Sequence, residues 1–329
     1  MITYEGLNAK LAERGITKTA LSEELGISSR TIAKIAKGKK LGDTTLRKIA
    51  SFLECDPSQL CREISENAIL QLLRDEKNAK ISGGLYHELQ VRMTYNSNHI
   101  EGSRLTHDQT RYIFETNTIG LEGESVNVDD VVETANHFRC IDLIIDNASK
   151  PLTEAFIKEL HRTLKSGTSD SRQSWFAVGA YKKVSNEVGG QTTALPSQVP
   201  AAMAKLLKGY NSIPEPDLED LLDFHVCFER IHPFQDGNGR VGRLILFKEC
   251  LRFGIVPFII DDRHKMFYYR GLKEWDKMPG YLRDTCLLMQ DDIKAVLDYF
   301  GIKYEAAAPP RYPVRSRRQD PDPSQSGSS

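Results

Sequence analysis

The stretch His232-Pro233-Phe234-Gln235-Asp236-Gly237-Asn238-Gly239-Arg240, followed three residues on by Arg243, leaves the backbone few choices. Proline disfavours helical geometry in the residue before it, so the apolar segment running up to Ile231 must end near Pro233. Gly237 and Gly239 free the next residues to turn, and a second helix opens at Arg240. The expectation is helix, glycine loop, helix, with loop amides turned inward at a helix N-terminus. Such a nest, with the positive end of the helix dipole behind it, holds anionic phosphate oxygens. Arg240 and Arg243 sit on neighbouring faces of the first turn, where both guanidinium groups reach one polyphosphate. Asp236 offers the hard oxygen ligand that a phosphate-bound Mg2+ (or Mn2+) requires. His232, with an ordinary pKa near 6.5, is the candidate base for an incoming hydroxyl.

The remaining chain reads as mainly all-α, without an internal repeat. Leu7–Arg14, Lys18–Leu25, Ser29–Ala36 and Thr44–Leu53 are short amphipathic segments separated by Gly15, Gly26 and Gly42, with a last turn after Pro57. This compact four- or five-helix unit ends near Arg62. Beyond it, apolar spacings of three and four predict helices over Ile64–Lys77, Leu85–Glu101, Asp108–Glu115, Val128–Ile145, Thr153–Leu164, Gln198–Asn211, Leu218–Ile231, Arg240–Phe253 and Leu282–Phe300. From Ala180 to Pro196 two short polar strands joined at Gly189-Gly190 predict a hairpin. Pro309–Ser329 is rich in Pro, Ser, Arg and Asp and cannot bury enough apolar surface to offset its ordering entropy, which predicts a disordered tail. The resulting division is 1–62, a helical region 63–125, a core 126–305 with the hairpin at about 180–196, and the tail 306–329.

Composition narrows the class. With 329 residues, 40% hydrophobic and 27% charged, the chain suits a folded globular protein of more than one domain. Its six cysteines lack metal-site spacing, which points to reduced thiols and a cytoplasmic location. No run approaches the ~18 apolar residues of a membrane span, and the start lacks a signal-peptide pattern, so no membrane partner is expected. The net charge of -1 conceals a surplus of about four positive charges in residues 1–62, roughly eleven Lys/Arg against seven Asp/Glu.

That basic unit resembles the Cro/repressor type of helix-turn-helix over Thr19-Ala20-Leu21-Ser22-Glu23-Glu24-Leu25-Gly26-Ile27-Ser28-Ser29-Arg30-Thr31-Ile32. Ala20 is small where the helices cross, Gly26 makes the turn, and Ile27 and Ile32 return to the core. Ser28, Ser29, Arg30, Thr31 and Lys34 then line the recognition helix, and Lys37, Lys39 and Lys40 suit backbone phosphates. The resemblance implies DNA as a partner. A module with so small a charge surplus gains specificity from two half-sites, which implies a homodimer. A helical protein-interaction bundle is the competing reading.

The 232–243 residues match the HPFxDGNGRxxR signature of Fic domains at every position. The resemblance covers about residues 85–300 and implies ATP as substrate, Phe234 packed into the core, and Asn238, Gly237, Gly239, Arg240 and Arg243 around the phosphates. An intact Gly237, in place of the lysine of phosphotransferase relatives, resembles the adenylyltransferases, which implies AMP transfer to a Ser, Thr or Tyr hydroxyl of a protein, this chain among the targets. Upstream, Ser97-Asn98-His99-Ile100-Glu101-Gly102 resembles the [S/T]xxxE[G/N] inhibitory motif. Gly102 reads as a helix C-cap, and Glu101 beside the negative end of the dipole wants a cationic partner. The resemblance makes that partner Arg243 and puts Glu101 in the place of the γ-phosphate; Ser103 stands where relatives often have asparagine. In the family the hairpin is a flap that holds the target segment, which points to Val184, Asn186, Val188 and Thr193, although the common Pro-Pro after it is Leu195-Pro196 here. Two further classes stay open: a DNA-binding regulator whose core senses nucleotide, and a hydrolase removing AMP with Glu101 orienting water.

Overall fold

The computed structural model describes residues 2–36, 39–63, 68–120, 125–188 and 191–304. The expected tail, Lys37 and the Gly189-Gly190 turn lie outside the described residues. The small N-terminal unit opens with β1 (Ile2–Thr3), followed by α1 (Glu5–Glu13), α2 (Lys18–Leu25), α3 (Ser29–Ala36) and α4 (Asp43–Phe52), and a 3-10 turn at Pro57–Gln59. It closes with β2 (Arg62–Glu63), antiparallel to β1 with Ile2 opposite Glu63 and Thr3 opposite Arg62, a pairing the sequence pattern missed. Leu7, Leu11, Leu21, Ile35, Ile49, Leu53 and Leu60 form its own core.

The larger unit contains α5 (Ala68–Ala79), α6 (Leu85–Ile100), α7 (His107–Thr116), α8 (Val128–Asn147), α9 (Glu154–Lys165), β3 (Glu187–Val188), β4 (Gln191–Thr192), α10 (Val199–Tyr210), α11 (Leu218–Ile231), α12 (Asn238–Phe253), α13 (Lys265–Glu274) and α14 (Gly280–Tyr299). Local signals set several starts: Thr106 with Gln109 and Asp217 with Asp220 each form reciprocal capping boxes. α12 is buried on every side along nearly its whole length, as expected only of a helix at the centre of a bundle. α6, α8, α9 and α11 pack around it.

Three expectations change. The hairpin is much shorter than Tyr181–Val188 with Gln191–Leu195, because its polar side chains bond into the body of the protein rather than extending a ladder. Helix α13 was not foreseen: Met266, Phe267 and Tyr269 are exposed and only Tyr268 and Gly271 are buried, so it carries no apolar stripe. α12 also begins at Asn238, ahead of the expected Arg240.

Candidate active site

α11 ends at His232, which caps it in the left-handed region (φ 50°, ψ 63°), an uncommon conformation for a residue with a Cβ. The loop that follows is held from inside. Phe234 is fully buried and its ring stacks on His161 at 4.0 Å and 3°. Nδ1 of His161 accepts from the Gly179 amide (2.9 Å), so its proton sits on Nε2, which faces the Asp236 carbonyl at 3.2 Å. Asn238 accepts from the Phe234 N–H (2.8 Å) and donates to the Phe234 carbonyl (2.9 Å). The Asn238 side chain thus closes the loop on Phe234, and Gly237 turns at φ 79° just before it.

His232 itself has Nδ1 3.3 Å from the Glu229 carbonyl. A carbonyl only accepts, so Nδ1 carries the proton and Nε2 keeps its lone pair. Burial lowers the His232 pKa below its ordinary value, the Glu229 carbonyl opposes this, and the charge of Lys182 adds to it. The imidazole is thus neutral near pH 7, as a general base must be.

Two ion clusters flank the N-terminus of α12. In the first, the Asp236 carboxylate accepts from Lys165 (2.6 Å) and Arg240 (3.2 Å), while Glu133 bridges the same Lys165 and Arg240. Burial pushes Asp236 up, but Arg240 and Lys165 overcome it and hold its pKa at about 2. In the second, Arg243 donates to Glu101 Oε1 at 2.7 Å, to Ser97 Oγ at 3.1 Å and to the Ser97 carbonyl at 2.9 Å. Burial disfavours the charge on Arg243, yet Glu101 and Tyr268 reverse this and its pKa is raised. Glu101 reaches so far because α6 stops there: Gly102 (φ 99°) and Ser103 return their amides to His99 and Asn98. A Cβ at Gly239 would collide with the Glu101 carboxylate, so a larger residue there would make that carboxylate shift.

Residues 151–249 match the Fic/DOC family. The chain carries a Fic domain. It is 26% identical over 218 residues to the protein adenylyltransferase Fic of Culex quinquefasciatus and 27% identical over 218 residues to that of Aedes aegypti, covering in each case 65% of this chain and 42% of the relative. The chain thus spans less than half the length of these curated relatives. Among solved structures, a Fic domain-containing signalling protein from Bacteroides thetaiotaomicron is 27% identical, with a TM-score of 0.52 over 70% of this chain and 90% of that one. Fic-1 from C. elegans, 17% identical, shares the fold over 90% of this chain and 98% of its own, with a TM-score of 0.54.

Around the Fic domain, the structure brings His232, Asp236, Arg240, Arg243, Ser97 and Glu101 together at one helix end. It also adds four residues that the sequence reading missed: Glu133, His161, Lys165 and Lys182. Their only signal was polarity inside helical or hairpin segments, where a solvated side chain is the ordinary reading. Of the flap residues, Val184 is exposed, whereas Asn186 and Thr193 turn inward onto Lys182; the Val188 side chain lies outside the described residues. Residues 7–77 match the Cro/C1-type HTH DNA-binding domain, a match that runs into α5, whose Ile69, Leu70 and Leu73 belong to the larger core. In this unit Gly26 is left-handed (φ 59°) between α2 and α3. Ser29, Arg30 and Lys34 are exposed, and Thr31 is half-buried with its hydroxyl 3.0 Å from that of Ser28.

Proposed function

We propose that this chain is a protein adenylyltransferase that moves AMP from ATP to a protein Ser, Thr or Tyr hydroxyl, is held off by Glu101, and binds DNA through residues 1–62. The observation that carries the reading is the neutral His232, with Nδ1 tied to a carbonyl and Nε2 free, beside a helix N-terminus furnished with Arg240 and Arg243. His232 Nε2 takes the hydroxyl proton as the acceptor oxygen attacks the α-phosphorus; the bond to the β-phosphate oxygen breaks and pyrophosphate leaves. Arg240 and the loop amides offset the charge that develops on the phosphoryl oxygens. Asp236, ionised and half exposed, fits one ligand place of a divalent ion. Among the described residues no cluster of three or more His, Cys, Asp or Glu side chains stands ready for a metal, so the remaining ligands would be phosphate oxygens and water, as Mg2+ prefers. Bound there, the ion would neutralise polyphosphate charge.

Glu101 occupies the arginine that a γ-phosphate needs, so the wild-type site favours its closed state. Exposed Arg30 and Lys34 on α3 support base and phosphate contacts by the N-terminal unit. Incubation with α-labelled ATP and Mg2+, comparing wild type and Glu101→Gly, tests the enzyme reading: label appears on protein in the second. No label in either chain, with both folded and binding ATP, leaves only a nucleotide-sensing core.

A further inference from the structure

Lys182 is 3% exposed at the base of the flap. Among the described residues no carboxylate lies within ion-pair distance of it. Its ammonium instead donates to three neutral acceptors: Asn186 Oδ1 at 2.7 Å, Thr193 Oγ1 at 2.7 Å and the Ile231 carbonyl at 3.4 Å. Its backbone amide donates to the Pro233 carbonyl at 2.9 Å. Asn186 belongs to the outgoing arm of the hairpin, Thr193 to the returning arm, and Ile231 and Pro233 bracket His232. Asn186 also donates to the Phe234 and Gln235 carbonyls, at 3.1 and 3.4 Å, and the Val184 amide donates to Gln235 Oε1 at 3.2 Å. A buried amine without a counterion is costly, and burial lowers the Lys182 pKa to about 8. A neutral side chain would fill the same space without that cost.

We propose that Lys182 is a positioning residue that makes the flap and the base one unit: its ammonium ties both arms of the hairpin to the Ile231 carbonyl on one side of His232, and its backbone amide holds the Pro233 carbonyl on the other. The proposal rests on the transferase reading for its purpose, but not for its test. The groups facing His232 are Lys182 from the flap, Glu229 from its own helix, Glu101 from α6 and Asp236 from the loop. Of these four groups Lys182 is the cation, so its charge works against protonation of the base.

The experiment uses the full chain and two variants. Lys182→Met keeps the length and removes the charge; Thr193→Val removes one acceptor and keeps the charge. The His232 imidazole is titrated by NMR, its signal assigned by its loss in His232→Ala, and hydrogen exchange is followed at the amides of Val184 to Val188. Lys182→Met raises the His232 pKa by about 0.5 to 1 unit and speeds flap exchange about tenfold or more. Thr193→Val speeds flap exchange while leaving the His232 titration in place. A purely structural lysine would loosen the flap in Lys182→Met without moving that titration, and this result overturns the proposal. So does wild-type exchange in Thr193→Val, which decides the matter alone where Lys182→Met does not fold. Neither readout requires transfer, so absence of label in the ATP assay sinks the enzyme reading and leaves the coupling standing or falling by itself.

Discussion

Replacing Glu101 with glycine removes one side chain and leaves its partner Arg243 bonded to Ser97. Arg243 is 7% exposed and Glu101 32%, and they meet at 2.7 Å, so the pair is a charge-assisted hydrogen bond partly screened by solvent. Such bonds contribute about 1.5 to 3 kcal/mol, and the partial exposure argues for the middle of that range, about 2 kcal/mol. A γ-phosphate that no longer has to displace the carboxylate gains the same amount, about 30-fold in productive binding. Little of this is lost to reorganisation, because the two bonds from Arg243 to Ser97, at 3.1 and 2.9 Å, still aim the guanidinium. The assay is label transfer from α-labelled ATP, read first on the chain itself, with Glu101→Gln alongside. That variant keeps the volume and loses the charge, and should fall between wild type and glycine. Labelling by folded Glu101→Gly within about twofold of wild type, far below the 30-fold expected, would refute the reasoning.

His232→Ala should abolish labelling, with a rate loss of about 10^2 to 10^4, while ATP binding measured by calorimetry is retained; wild-type labelling would reject the base assignment. Arg240→Ala should do the reverse, weakening ATP binding by about tenfold or more through loss of charge-assisted contacts, and equal affinity would exclude it from the cradle. Stability should fall in acid: burial holds the pKa values of His137, His161 and His225 at about 3. The unfolded chain takes up protons below pH ~6.5 that these folded imidazoles refuse, so stability present above that pH drains towards pH 3, at up to about 1.4 kcal/mol per pH unit for each. A Tm that is level between about pH 7 and pH 5 contradicts this, given that linkage. In the N-terminal unit, Arg30→Ala should cost roughly 1 to 3 kcal/mol at a selected duplex and relax its sequence preference, whereas Lys39→Ala should weaken all duplexes alike; salt-independent or absent binding would make the unit an interaction bundle.

Much of this molecule was legible in one dimension because its strongest signals are local. A proline after an apolar run, two glycines and a helical restart specify the 232–243 loop whatever surrounds it, and α2, α3 and α11 were read to the residue from periodicity and caps. Gly102 marked the end of α6 in the same way, and with it the place of Glu101. The rest depended on contacts between segments far apart in the chain. No pattern near Lys165, at the end of α9, says that it will meet Glu133 and Asp236 inside the bundle rather than water. No strand signal separates a flap hydrogen-bonded as a ladder from one tied down by Lys182. α13 escaped because most of its apolar residues face outward, so nothing periodic recorded its burial of Tyr268. Local sequence sets which backbone conformations are cheap; which charges lose their water, and which partners must then replace it, follows only from how the helices pack around α12.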